Sequence, residues 1–66
     1  MNKVCEPKII NRELFGEFKR YRLTEFRSRF GETIWFVDDA EQIDKQGLPK
    51  NIRQTATRED AVAGLL

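Results

Sequence analysis

The chain has 66 residues, a formal net charge of +1 and 35% charged side chains. A chain of this length forms at most one domain, and it buries only about 60% of the surface that it exposes when unfolded. One cysteine excludes an intramolecular disulfide, and the lack of histidine leaves no ligand set for zinc. Small domains without crosslinks are commonly stabilised by association, so the composition favours oligomerisation or docking on a larger partner.

Residues 1–7 are polar and end at Pro7, which predicts a flexible N-terminus ahead of a single small domain over residues 8–66. No apolar run approaches the roughly 20 residues that a membrane-spanning helix needs. The first residues also lack the apolar centre of a signal peptide. Because the single thiol, Cys5, is typical of a reducing compartment, we expect a cytoplasmic protein that does not contact a membrane.

The segment 8–16 is ambiguous in the sequence. Ile9 and Ile10 favour a strand, whereas Asn11 at the start and Gly16 at the end would also suit a capped single helical turn. We favour the strand.

A β-hairpin is the clearest element, because strand-forming residues dominate positions 18–40 and Gly31 interrupts them near the middle. Gly31-Glu32 fits a two-residue type II′ turn, which requires glycine at its first central position. The resulting register places Phe26 opposite Val37 and Arg22 opposite Glu41. One face of the hairpin then carries an apolar cluster of four residues: Phe26, Phe30, Trp35 and Val37.

The same register predicts a second, apolar and basic face, with Arg29 beside Ile34 and Arg27 beside Phe36. It also places Glu25 opposite Asp38, a mildly unfavourable like-charge pair that points to a bulge or a register error. Because one short helix can cover only one face of a small sheet, we expect the second face to be an interface. Its predicted residues are Arg27, Arg29, Ile34, Phe36, Tyr21 and Leu23.

The C-terminal third predicts a loop, a strand and a helix in turn. Gly47 and Pro49 mark a loop over residues 41–50, and Ile52 is the centre of a short strand over residues 51–56. Thr57 is a suitable helix N-cap, followed by acidic residues in the first turn. Four apolar residues then recur at helical spacing: Ala61, Val62, Leu65 and Leu66. We therefore predict an α+β fold, with an antiparallel sheet of three or four strands and a C-terminal helix packed on the Trp35 face.

Catalysis has little support in the sequence. Cys5 has no histidine to activate it. Asp38 and Asp39 are adjacent in a predicted strand, so their side chains point to opposite faces and do not converge on a metal. We expect no enzyme activity, no cofactor, no metal site and no small-molecule substrate.

Charge is unevenly distributed, which leaves two binding hypotheses open. Residues 18–30 hold five basic residues and one acidic residue, whereas residues 31–44 hold five acidic residues and no basic one. Basic residues interleaved with aromatic ones are typical of nucleic-acid surfaces. Arginine and aromatic residues are equally typical of protein interfaces, and in a hairpin the two charged segments neutralise each other.

The C-terminal half also resembles a known layout. A hairpin strand with Trp35, a strand with Ile52 and a helix opened by Thr57-Arg58-Glu59-Asp60-Ala61 resemble the arm-type DNA-binding domains of phage integrases. The resemblance covers residues 30–63 and implies a three-stranded sheet laid in the DNA major groove. Such binding needs a basic sheet face, which three acidic residues of this hairpin oppose: Asp38, Asp39 and Glu41.

Together these observations predict a non-catalytic protein-interaction module, self-associating as a homodimer or forming a small subunit of a larger assembly. The alternative is a small regulatory protein that binds nucleic acid through a sheet face.

Overall fold

A computed structural model describes residues 6–65, which form a four-stranded antiparallel sheet and one short helix. The strands pair in chain order, and the elements are β1 (Lys8–Phe15), a 3-10 turn (Glu17–Lys19), β2 (Tyr21–Arg27), β3 (Thr33–Ile43), β4 (Pro49–Thr55) and α1 (Arg58–Val62). The predicted α+β class and the strand over residues 8–15 are confirmed. The sheet has one strand more than the integrase resemblance implied. Residues 1–5 of the predicted N-terminal segment, with Cys5, and also Leu66 lie outside the described residues.

The helix begins as the sequence predicts and ends earlier. The Thr57 side chain accepts a hydrogen bond from the Asp60 backbone N–H at 3.2 Å, as an N-cap does. The helix ends at Val62, and Gly64 then adopts a left-handed φ of 76°, so Leu65 reaches the core from a turn instead of from a longer helix. A helix of five residues is not stable alone, and its stability must come from packing on the sheet.

The core lies between α1 and one face of the sheet, which we call the covered face. Its fully enclosed apolar residues are Leu23, Val37, Ala61 and Val62. Partly buried residues surround them: Phe15, Tyr21, Trp35, Ile52 and Leu65. The prediction that the helix packs on the Trp35 face is therefore confirmed.

One side chain of β4 holds the end of the helix. Arg53 Nη1 donates to the backbone oxygens of Asp60, Ala61 and Ala63 at 3.0, 3.0 and 2.8 Å. The last carbonyls of a helix have no partner within the helix, and a cation there also opposes the negative end of the helix dipole. Arg53 thus connects the short helix to the sheet.

The predicted hairpin register is wrong by three residues, because the β2–β3 turn is longer than a type II′ turn. The turn spans residues 28–32 and is closed by the Ser28 N–H, which donates to the Glu32 carbonyl at 2.8 Å. The Ser28 hydroxyl also accepts from the backbone N–H groups of Phe30 and Glu32. Gly31 takes a left-handed φ of 82°, as glycine does after a type I turn, so it is not the first central residue of a two-residue loop.

This register places Leu23 opposite Val37 and Phe26 opposite Ile34. An odd shift moves every side chain of one strand to the other face relative to its partner strand. Phe26 therefore leaves the predicted cluster with Trp35 and Val37, and Leu23 joins that cluster. Phe30, which was also predicted there, lies in the turn and is 76% exposed.

The β3–β4 connection is shorter than the predicted loop over residues 41–50. Strand β3 continues to Ile43 and β4 starts at Pro49. Asp44 closes the remaining turn, because its Oδ1 accepts from the backbone N–H groups of Gln46 and Leu48 at 2.8 and 3.0 Å. Within residues 6–65, no helix has the length and apolar character that crossing a bilayer requires.

Candidate interaction surface

The face of the sheet opposite α1 has no covering element among the described residues, and we call it the open face. Directly opposite residues on paired strands point to the same face, so the observed register arranges this face in three rows that run across the strands. The first row is Leu14, Arg22, Asp38 and Asn51; the second is Arg12, Thr24, Phe36 and Gln54; the third is Ile9, Phe26 and Ile34.

The open face has a continuous apolar area in its second and third rows. The rings of Phe26 and Phe36 meet edge to face, with centroids 5.8 Å apart. At the edge strand, Ile9 and Leu14 are 47% and 57% exposed. A shallow groove of about 380 Å³ is lined by the apolar side chains of Ile9, Phe26 and Phe36 and by polar ones: Arg12, Thr24, Asp38, Asn51 and Gln54.

An ion pair occupies the centre of the first row. Arg22 Nε and Nη2 donate to Asp38 Oδ2 at 3.2 and 2.9 Å. Asn51 Nδ2 donates to the other carboxylate oxygen of Asp38 at 3.3 Å. The Arg22 side chain remains 39% exposed and that of Asp38 14%, so the pair still presents charge to anything that contacts the face.

Asp39, the neighbour of Asp38, points to the covered face and is only 1% exposed. Its carboxylate accepts two hydrogen bonds from the Arg20 guanidinium at 3.0 Å, and further ones from the Glu41 backbone N–H and the Gln42 amide. The Arg20 hydrogen bonds lower the pKa of Asp39 to about 2, and the same contact raises the pKa of Arg20 above its ordinary value. These contacts join the residue before β2 to the irregular part of β3 after Asp39.

The two aspartates therefore diverge, as the strand alternation predicts. Among residues 6–65 there is no group of three or more cysteine, histidine, aspartate or glutamate side chains placed to hold a metal. The predicted neutralisation of the basic strand by the acidic one is confirmed with different partners. Arg22 pairs with Asp38 instead of Glu41, and Glu41 pairs with Arg20 at 2.7 Å.

The predicted interface residues are divided between different parts of the molecule. Ile34 and Phe36 lie on the open face. Tyr21 and Leu23 lie on the covered face, where Leu23 is only 1% exposed, so the wrong register had placed Leu23 on the surface.

The two predicted arginines also lie away from Ile34 and Phe36. Arg27 lies opposite Thr33 in the β2–β3 ladder, at the exposed end of β2. Arg29 lies in the β2–β3 turn. Neither flanks Phe36 as the sequence had predicted, because the register differs by three residues.

The sequence prediction omitted Phe26, Leu14 and Ile9 from the open face, and it paired Arg22 with the wrong acid. The like-charge pair of Glu25 and Asp38 in the predicted register was the signal of this error. In the observed register Asp38 faces Arg22 instead, and the like-charge contact is absent.

Other exposed apolar residues lie at the ends of the sheet, and two of them, Ile43 and Leu48, flank the β3–β4 turn. Phe18 and Phe30 are each exposed in a turn at opposite ends of the sheet, and single exposed apolar residues of this kind are normal on protein surfaces. Comparison with known proteins finds no matching family, no similar curated protein and no similar solved structure.

Proposed function

We propose that the protein is a non-catalytic interaction module that binds a protein surface through its open face. The observation that carries this proposal is the contiguous apolar area formed by Ile9, Phe26, Ile34 and Phe36, which α1 does not cover. Contiguous exposed apolar surface with a polar rim is typical of protein interaction sites. We also propose a cytoplasmic location, which the single cysteine favours.

The architecture gives a physical reason for a partner. A sheet that is apolar on both faces is stable when both faces are packed, whereas here one five-residue helix packs on one face. The molecule is only 15 Å thick in its shortest dimension. A second sheet could pack on the open face at the usual distance of about 10 Å between sheets. A partner on the open face would therefore supply the layer that the chain lacks.

Nucleic-acid binding is the second candidate. The observation that favours it is the pair Phe26 and Phe36 on neighbouring strands near Arg12, since exposed aromatic residues on a sheet face can stack on bases. The ion pair of Arg22 with Asp38 counts against it, because phosphate binding needs basic groups that are not already neutralised. Protein binding is therefore the function that we propose.

Site-specific photo-crosslinking in cells tests the proposal. A photoreactive amino acid replaces Ile34 on the open face, and a matched control variant carries it at Phe30, which is exposed in the turn. We expect protein crosslinks from position 34 and few from position 30. Crosslinks to nucleic acid alone would favour the second candidate, and no crosslinks from position 34 in a folded variant would refute protein binding by this face.

A further inference from the structure

We infer that the partner of the open face is the open face of a second copy of this chain, related by a two-fold axis parallel to the strands. The axis passes over the midline between β2 and β3. This inference rests on the proposed function, because it names the occupant of the same surface. It follows from the order of residues within the three rows.

Such an axis places each row against the same row of the second copy, with the strand order reversed. Residues of β2 then face residues of β3 in the second copy, and residues of β1 face those of β4. The strands of the two sheets stay nearly aligned, as in sandwiches whose sheets pack about 10 Å apart and about 30° from parallel. The pairing of every position across the interface can therefore be read from the register.

The first row is self-complementary in charge. Arg22 of one copy faces Asp38 of the second, and Asp38 faces Arg22 in return. Each copy already pairs these two side chains, so the interface joins two ion pairs head to tail in a group of four alternating charges. Charge complementarity of this kind fixes the orientation of an interface.

The central positions of the third row are self-complementary in polarity. Phe26 faces Ile34 of the second copy, which places apolar side chains together in the third row. In the second row Phe36 faces Thr24, and Arg12 faces the amide of Gln54. No position of these rows places like charges together.

The alternative aligned axis, perpendicular to the strands within the interface plane, gives a much poorer match. It lays the first row on the third, so that Arg22 would face Phe26 of the second copy and Asp38 would face Ile34. Covering charged groups with apolar side chains removes their water without supplying new partners, which is costly. The row pattern thus selects the axis parallel to the strands.

The size of the face sets the concentration range of the experiment. Four strands about 4.8 Å apart and three rows about 7 Å apart give roughly 400 Å² of sheet per copy. The two copies together would bury about 800 Å², less than the roughly 1,200 Å² of stable interfaces, so the dimer is expected to be weak and transient. Sedimentation equilibrium of the full chain from about 5 to 500 μM covers this range.

The first experiment compares the wild-type chain with Phe36→Ser and with the matched control Phe30→Ser. We expect a monomer–dimer equilibrium for the wild type, an unchanged dissociation constant for Phe30→Ser and at least a tenfold increase for Phe36→Ser. Circular dichroism verifies that both variants are folded. A wild-type chain that is monomeric throughout the range, or equal effects of the two variants, would overturn the inference.

The second experiment tests the axis by charge exchange. Arg22→Asp and Asp38→Arg each place like charges together in a homodimer, so each alone is expected to be monomeric. When the two variants are mixed in equal amounts, position 22 of each copy faces an opposite charge at position 38 of the other, so the mixture should dimerise. The double variant Arg22→Asp/Asp38→Arg should dimerise about as well as the wild type, and it keeps the test available if a single variant fails to fold.

The outcomes separate the two proposals. Dimers of the single variants, or no dimer in the mixture and the double variant, would refute this axis. A monomeric chain whose position 34 crosslinks to a different protein in cells would leave the proposed function standing and remove only the second copy as partner. Crosslinks of position 34 to another molecule of the same chain would support both.

Discussion

The two faces of the sheet are built from alternate residues of the same strands, but their environments differ. On the covered face, Leu23 and Val37 are enclosed by Ala61 and Val62 of the helix. On the open face, Phe26 and Phe36 contact each other and remain partly exposed. Neighbouring residues of one strand thus differ in burial because α1 packs on only one side.

A small sheet can thus place the residues that stabilise its fold on one face and leave the other face available for contact. A large loss of stability is expected from residues beneath the helix, whereas residues of the open face can change with smaller effects on folding. On the covered face Asp39 is enclosed where it pairs with Arg20, whereas Asp38 of the Arg22–Asp38 pair remains partly exposed at the open face. Mutations on the two faces should therefore separate folding from association.

The largest effect is expected from Leu23→Ala. Removing a fully buried leucine should lower the free energy of unfolding by about 2–5 kcal/mol, because the helix cannot fill the space. Phe36→Ser, compared at low micromolar concentration, should cost roughly 1 kcal/mol, as partly exposed positions do. Urea unfolding followed by the fluorescence of Trp35, the single tryptophan, measures both. Equal losses would show that the two faces contribute alike to stability.

A smaller effect is expected from Arg53→Met, which tests the attachment of the helix. The variant loses a charged donor to three helix carbonyls, so the free energy of unfolding should fall by about 1–2 kcal/mol. Hydrogen exchange should show earlier opening of α1 than of the strands. Arg27→Met, at the exposed end of β2, is the matched control and should leave both measurements unchanged.

The smallest effect is expected from a change of pH, because the charge of Asp39 is constant near neutral pH. Its pKa in the folded chain is about 2, below the ordinary value of 3.8, so its stabilising contribution is fully present above pH 4 and is lost as the pH falls through 2. Urea midpoints should therefore show a Asp39-dependent fall only in strong acid. In Asp39→Asn the urea midpoint should change less between pH 4 and pH 2 than in the wild type. The same dependence on pH in both chains would contradict a lowered pKa of Asp39.

Much of the fold could be predicted from local patterns. Thr57 followed by acidic residues marks a helix start because capping is a local interaction. Strand-forming residues on both sides of Gly31 indicate a hairpin for the same reason. The exact ends were less accurate, because β3 extends to Ile43 and α1 stops at Val62, and both depend on contacts with distant segments.

The candidate site was predicted only in part. Ile34 and Phe36 were assigned to the face that the helix does not cover, and the structure places them there. Phe26 and Leu23 were exchanged between faces because the loop length was taken from glycine alone, whereas the Ser28 hydroxyl helps to set a five-residue turn. A single choice of turn thus determined which side chains share a surface.

The sequence by itself determined the class of fold, the helix cap, the divergence of Asp38 and Asp39, and the presence of more apolar strand residues than one short helix can cover. Each of these depends on residue type and on the alternation of side chains along one strand. Tertiary structure decided the register, the pairing of Arg22 with Asp38 and the arrangement of residues in rows on the open face. Those features depend on how separate strands align, and alignment is set by turn geometry and cross-strand contacts that no single segment contains.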